Sequence, residues 1–423
     1  MKNDFLKYIK SRGYLHQCTN DKVLEERLCE SRVAYIGFDC TSDCLHAGSL
    51  LPLMLLKNFQ KFGHTPILLL GGGTTLVGDP SGKDETRKIL GEEEINKNKK
   101  KLKKIFEKFL SFTSSNKAVI VDNYEWLINL NYIPFLREIG SKFSVNKMLS
   151  LESIKQRLGR EQNLSFLEFN YSLLQAYDFL ELQKRYNCEL QFGGSDQWGN
   201  IVSGIDLVRK ISQKEVFGLT TPLITTSNGK KMGKTEDGAI WLSEERLDVN
   251  QFWQFWRNTS DQDIIDFLYL FTEIEVQKIE EFKKLRGAEL NDAKILLANE
   301  VTKLCHNDEK SKKAEKEAES ILTSKSFDVQ TLKESKNKIT LNKSQIKNGL
   351  SLKQSLLELK LCKSNGEAKR LIDQGAVRIN KEVIKEKDFI FKRNNFLEDS
   401  DKDFFYLIIY VGKKKFGIVE LIT

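Results

Sequence analysis

Three groups of residues have types and spacings that could do chemistry. Tyr171, Gln175 and Asp178 stand at i, i+4 and i+7 of a stretch that is otherwise apolar: Phe166, Leu167, Phe169, Leu173, Leu174, Phe179, Leu180. On an α-helix these three share one stripe. A carboxylate and an amide on a buried helix need partners. A structural polar network could supply them; a pocket for a polar ligand explains the spacing better. The second group is His46-Ala47-Gly48-Ser49, between a β-rich run (Val33 to Gly37) and an apolar helical run through Leu50, Leu53, Met54, Leu56 and Lys57. Such a helix turns its unbonded N–H groups toward the strand's carboxyl end, a place for an anion with an imidazole at its mouth. An ordinary βα unit with a histidine in its loop has the same pattern. The third group, Lys230-Lys231-Met232-Gly233-Lys234-Thr235, lies between Asn228-Gly229 and Gly238 and therefore on a loop. Lysines flanking a glycine suit a phosphate clamp, or simply a solvated basic loop.

The elements that must hold these groups are readable in outline. Ser49 is the expected N-cap of the helix after the first strand, with Pro52 in its first turn. Pro66 to Leu70 and Ala118 to Val121 read as further strands, and Ser165-x-x-Glu168 is a capping box that opens the striped helix. Leu190 to Phe192 leads into Gly193-Gly194-Ser195-Asp196-Gln197. There the glycines would let backbone approach a ligand, and the aspartate stands where a ribose diol could be held; a plain glycine-rich turn is the alternative. Gly78 to Lys83, GDPSGK, is a turn. It is one residue short of a Walker loop, and Asp84 follows the lysine. Lys97 to Lys108 is a basic helix with Leu102, Ile105, Phe106 and Phe109 inward and a solvated outer face.

With 423 residues and 48.8 kDa, two or three domains are expected. The net charge of +8 is consistent with a polyanionic partner. Seven cysteines without a CxxC pair or a regular framework argue against a disulfide scaffold and a zinc site, and fit a reducing cytosol. The first residues hold no apolar signal core, and the run Phe404 to Val411 is too short to span a bilayer. A cytoplasmic protein without membrane contact is expected. Residues 250 to about 325 read as helical, and Thr323 to Lys347 as a linker of low hydrophobicity. After it, a second capping box, Ser364-x-x-Glu367, opens a helix that ends at Gly375, and strands flank Asn380-Lys381. Lys363, Lys369, Arg370, Arg378 and Lys381 make this piece a candidate for binding nucleic acid, against the alternative of an unrelated helix–hairpin cap.

HAGS and KMGKT, about 185 residues apart and in that order, resemble the two signatures of class I aminoacyl-tRNA synthetases. With YIGFD, GDPSGK, YSLLQAYDF and GGSDQWGN, the whole chain is similar to the bacterial-type tyrosyl-tRNA synthetases. The resemblance implies an α/β fold. A Rossmann-like catalytic domain (1–245, with a dimer-forming insertion) is followed by a helical anticodon-side domain (246–322), a linker (323–347) and a small α+β RNA-binding domain (348–423). It implies activation of L-tyrosine by ATP with magnesium, no protein-bound metal, and transfer to tRNA(Tyr) by a homodimer. By the same resemblance Asp178 and Tyr35 meet the substrate phenol. Tyr171, Gln175 and Asp79 hold the ammonium, and Gln197 lies near the carboxylate. Asp39, Gly48, Gly194, Asp196 and Met232 contact the nucleotide. His46, Ser49, Lys83, Arg87, Lys231, Lys234 and Thr235 surround the phosphates. Two departures stand out: the first signature usually ends in His where Ser49 stands, and the second usually has Ser where Gly233 and Thr235 stand. A tryptophanyl enzyme, a small-molecule adenylyltransferase and a catalytically dead RNA-binding relative are the rival readings.

Overall fold

The computed structural model describes residues 4–79, 90–161, 164–227, 229, 232–235, 238–323, 337–342, 350–380, 382–386, 388–398, 405–412 and 415–422, and every structural statement concerns these. The chain opens with helix α1 (Phe5–Ser11), strand β1 (Gln17–Cys18) and helix α2 (Asp21–Arg27), whose N-cap Asn20 accepts the Val23 N–H. Then come β2 (Val33–Asp39), α3 (Leu50–Lys61), β3 (Thr65–Gly71), α4 (Glu92–Phe106) and β4 (Val119–Asp122). Short helices α5 (Tyr124–Leu127), α6 (Tyr132–Glu138), α7 (Val145–Leu149), α8 (Glu152–Gly159) and α9 (Phe166–Phe169) lead to α10 (Tyr171–Tyr186). The nucleotide-fold half resumes with β5 (Leu190–Gly194), α11 (Trp198–Ser212) and β6 (Phe217–Thr221).

These strands make one sheet in the order β1-β6-β5-β2-β3-β4, parallel except at β1–β6. The near-continuous apolar character of β2 and β3 has its reason here: both are covered on both faces, except at Gly37 of β2, which opens to the cleft. The order reverses between β2 and β5, so the crevice for a ligand lies beyond the carboxyl ends of those two strands. Tyr35, Ile67, Leu69 and Val121 on one face of the sheet pack on Phe179 and Leu180 of α10 and Leu207 and Val208 of α11. The striped helix is broken once. The capping box at Ser165–Glu168 forms, but a one-turn helix ends at Asn170 before α10 begins. Ser49 does not cap α3 with its side chain. A 3-10 turn, Ala47–Ser49, precedes the helix, and the side chain that accepts a backbone N–H there is His46.

Beyond β7 (Lys234–Thr235) and β8 (Gly238–Ala239), helices α12 (Val249–Arg257), α13 (Ile264–Phe271), α14 (Val276–Phe282) and α15 (Leu290–Cys305) form one compact unit with everything before them, residues 1–311. Buried Arg12 ties the two ends of that unit: its guanidinium donates to the carbonyls of Leu268, Tyr269, Thr272 and Ile274 at 2.5 to 3.1 Å. Tyr14 adds its hydroxyl to the Leu270 carbonyl at 2.6 Å. Leu268, Tyr269 and Leu270 are among the carbonyls that the end of α13 leaves without helical partners, and Thr272 and Ile274 follow in the loop after it. The second unit, residues 312–423, holds a mostly antiparallel sheet. Most of the expected linker 323–347 lies outside the described residues. Its segment Lys338–Asn342, however, is strand β9, paired parallel to the final strand (Lys415–Ile422), with Leu341 buried. Only two apolar residues face inward there, which is why composition reads it as linker.

Candidate active site

A cleft of about 550 Å³ opens at the strand-order reversal. Its lining brings together Tyr35, Asp39, His46, Gly48, Ser49, Asp79, Tyr171, Gln175, Asp178, Gly194 and Gln197, drawn from β2, β5, α10 and the loops after β2, β3 and β5. Asp196 sits in the 3-10 turn Ser195–Gln197 at the end of β5. Lys83, Arg87 and Lys231 lie outside the described residues. Lys234 and Thr235 are placed by their backbone, paired with Ala239 and Gly238.

At the floor of the cleft Asp178 is 2% exposed. Its two oxygens are each held by one neutral donor: Asn123 Nδ2 to Oδ2 at 2.9 Å and Trp126 Nε1 to Oδ1 at 2.8 Å. Asn123 is itself fixed, since its Oδ1 accepts the Gly73 N–H at 2.8 Å and its Nδ2 reaches Thr74 Oγ1 at 3.0 Å. Burial pushes the Asp178 carboxyl up to about 7, aided by the charges of Asp39 and Asp122 and opposed by the two hydrogen bonds. Tyr35 lies beside it. Burial first, and Asp178 second, raises its phenol well above the ordinary value, and its hydroxyl has no hydrogen-bond partner among the described residues. A buried carboxylate with spare lone pairs and an unpartnered hydroxyl suit a ligand group that both donates and accepts.

Higher in the cleft the polar stripe joins a chain of amides. Asn200 Nδ2 donates to Gln175 Oε1 at 3.0 Å and to Gln197 Oε1 at 3.1 Å. Gln197 Nε2 in turn donates to Asp79 Oδ2 at 2.9 Å. The orientation of both glutamine amides is thus set by one buried asparagine.

The first signature meets the segment that follows the second one backbone to backbone. Ala47 N–H donates to the Ile240 carbonyl at 2.7 Å, and Leu242 N–H to the Leu45 carbonyl at 2.9 Å. Asp43 binds Lys101 at 2.9 Å and also the guanidinium of Arg246, which lies over the ring of Trp241. His46 Nδ1 accepts the Gly48 N–H at 3.0 Å, which puts the proton of a neutral imidazole on Nε2. Buried Met232 stands directly behind Gly48.

Residues 28–323 match the family model of class I tRNA synthetases (W and Y), and residues 328–419 match the SYY-like C-terminal domain of tyrosine–tRNA ligases. The chain belongs to the class I tRNA synthetases. A tyrosine–tRNA ligase of Wolbachia sp. subsp. Brugia malayi (strain TRS) is 48% identical over 417 residues, 98% of each chain. One from Pelagibacter ubique (strain HTCC1062) is 47% identical over 422 residues, 99% of this chain and 100% of that one. Among solved structures, a C-terminally truncated mitochondrial tyrosyl-tRNA synthetase of Aspergillus nidulans aligns with a TM-score of 0.66 at 28% identity, covering 75% of this chain and 94% of that one. The catalytic sheet, the helical part and the second sheet are therefore those of a class I synthetase. No helix among the described residues is long and apolar enough to cross a membrane.

In this synthetase's second unit, Lys363, Lys369 and Arg370 are exposed on or beside the helix Asn365–Asp373. Arg378 is half-buried over the Tyr410 ring, and Lys381 lies outside the described residues. Sequence reasoning missed Asn123, Trp126 and Asn200. Asn123 directly follows β4 and so sits at the carboxyl end of a strand, and Asn200 is three residues after Gln197 on a helix. Those are the only signals either one gives.

Proposed function

We propose that the chain is a tyrosine–tRNA ligase of the cytoplasm, activating L-tyrosine with ATP and then transferring it to the 3′ end of tRNA(Tyr). The observation that carries this is the floor of the cleft: a carboxylate held by Asn123 and Trp126, facing the unpartnered hydroxyl of Tyr35. A phenol answers both, donating to Asp178 and accepting from Tyr35. An indole has no acceptor for the tyrosine hydroxyl, and phenylalanine leaves both groups unpaired.

Tyr171, Gln175 and Asp79 then lie where the substrate ammonium sits, with Gln197 toward its carboxylate. Asp39, Gly48, Gly194, Asp196 and Met232 serve the nucleotide. The tyrosine carboxylate is already ionised and needs no base. Its oxygen forms a bond to the α-phosphorus as the bond to the leaving pyrophosphate breaks, and the electron pair departs with pyrophosphate. Charge grows on phosphate oxygens, so the protein contributes position and donors. His46 offers Nε2–H and Ser49 a hydroxyl not used for capping, with Lys83, Arg87, Lys231, Lys234 and Thr235 supplying the remaining donors. Magnesium would come with the triphosphate, whose oxygens are its hard ligands. In the second step a terminal ribose hydroxyl of the tRNA attacks the acyl carbonyl and AMP leaves.

Lys363, Lys369, Arg370, Arg378 and Lys381 would contact RNA backbone. The division into catalytic, helical and RNA-binding domains is part of this reading. So is a homodimer through residues 126–169. Of the apolar residues there, Leu127, Phe135 and Phe143 pack on the protomer's own core. Ile128, Tyr132, Ile133 and Phe166 are 50 to 69% exposed, a patch that suits a second copy. The test of function is ATP–pyrophosphate exchange across the twenty amino acids. Exchange driven by tyrosine, and lost or made indifferent to phenylalanine by Asp178→Ala, is expected. Exchange driven by another amino acid overturns the reading.

A further inference from the structure

Gly233 is the third residue of the second signature, has φ +84° and is buried against the first signature. A β-carbon at position 233 would come within 2.6 Å of Gly48 N, 2.7 Å of His46 Nδ1 and 3.3 Å of Ala47 N. From the opposite side, a β-carbon on Gly48 would meet the Met232 carbonyl oxygen at 2.8 Å. The first two approaches to Gly233 and the one to Gly48 are far inside van der Waals contact. The backbone around them is pinned. Met232 N–H donates to the Ile224 carbonyl at 2.9 Å, Ile240 N–H to the Gly233 carbonyl at 2.9 Å, and Ala47 N–H to the Ile240 carbonyl at 2.7 Å. The imidazole is the movable part, and it is held through Nδ1 by the Gly48 N–H at 3.0 Å.

We infer that Gly233 is a positioning residue for amino-acid activation, acting through His46. An empty position 233 lets the loop seat on Ala47–Gly48 while the imidazole keeps its Nδ1 on a backbone N–H. That bond fixes the tautomer and leaves the ring proton on Nε2, the nitrogen that can donate to a phosphate oxygen. A side chain at 233 crowds the ring off the Gly48 N–H, and its remaining contact with the Gly48 nitrogen strains the loop against the first signature. Both effects misplace donors that act on charge developing in the transition state. The inference rests on the adenylation reading above and adds that serine, the residue common at this place in the class, does not fit against this chain's His46.

Gly233→Ala tests the clash. Gly233→Asn keeps the β-carbon but tolerates a positive φ, and so separates the clash from backbone strain. Both are made with and without His46→Ala in the full-length chain. In the parent background each is expected to slow single-turnover tyrosine activation roughly tenfold or more, with tyrosine affinity unchanged. In the His46→Ala background each should cost at least about threefold less than in the parent, because the part of the loss that runs through the imidazole is gone while the contact with the Gly48 nitrogen remains. Equal losses in both backgrounds, or parent rates in Gly233→Ala, overturn the inference. A second readout needs no turnover. The chain has four histidines, so 15N-histidine spectra can report His46 alone, assigned by its loss in His46→Ala. The Nε2–H tautomer is expected in the parent and a mixture in Gly233→Ala; an unchanged tautomer overturns the inference. A parent that shows no tyrosine-dependent exchange would fail the functional reading, while the spectra still decide the role of Gly233.

Discussion

Trp126 Nε1 donates to Asp178 Oδ1 at 2.8 Å, and the same indole carries the Arg185 guanidinium over its ring at 5.0 Å. One aromatic side chain thus holds the carboxylate at the floor of the cleft and is itself held from the far side. The ionised state of Asp178 depends on this arrangement, because burial alone disfavours the charge.

Trp126→Phe keeps most of the shape and removes the donor. A hydrogen bond to a charged group is worth roughly 1.5–3 kcal/mol, so tyrosine affinity at neutral pH should fall tenfold or more. The carboxyl should also become harder to ionise, and raising the pH to 9 should restore much of the binding. Affinity measured by equilibrium dialysis from pH 6 to 9 decides it; a parent-like curve would remove Trp126 from this role.

In the parent, Asp178 titrates near 7 against an ordinary 3.8. The folded chain therefore holds a proton there that the unfolded chain has lost. Its contribution to stability falls as pH rises from about 4 to about 7, by at most ~1.4 kcal/mol per pH unit, and is flat above. Substrate runs the other way. A proton on Asp178 takes a lone pair that the phenol needs, so tyrosine should bind more weakly below pH 7. Denaturant melts and dialysis on the same samples should show the opposite slopes; Asp178→Ala should flatten the first.

Asn200 controls two amides from one buried position. Asn200→Ala frees Gln175 and Gln197 to turn over, and losing two neutral hydrogen bonds should cost roughly 1–3 kcal/mol. Tyrosine KM in pyrophosphate exchange should rise about tenfold with kcat falling less. A lowered melting temperature with unchanged KM would make Asn200 structural only.

The second unit should be removable, but the cut belongs after Thr323. Strand Lys338–Asn342 pairs with the final strand, and a cut at 347 would leave it without a partner. A chain ending at 323 should retain pyrophosphate exchange and lose tRNA charging, with a flatter salt dependence of tRNA binding. Normal charging by the shortened chain would refute the RNA-binding role of the second unit.

Asp178 was legible in the sequence because a carboxylate inside an apolar helix is conspicuous, and Tyr171 and Gln175 shared its stripe. The strands were legible because β2 and β3 are short apolar runs between turn residues. Asn123, Trp126 and Asn200 gave no such contrast: single polar or aromatic residues among many, they matter only through what the sheet carries to them. The contact of Gly233 with His46 spans most of the catalytic sequence, and no local pattern encodes a missing β-carbon. Ser49 misled as a cap because the 3-10 turn before α3 gave that task to His46.

Arg12 has a consequence for anyone who would exchange parts of this molecule. The end of α13 is finished by a side chain more than 250 positions earlier. A helical segment transplanted from 246 onward would arrive with several carbonyls bare and a socket where the guanidinium had been. The transferable block is discontinuous, and residues 5–14 must travel with it.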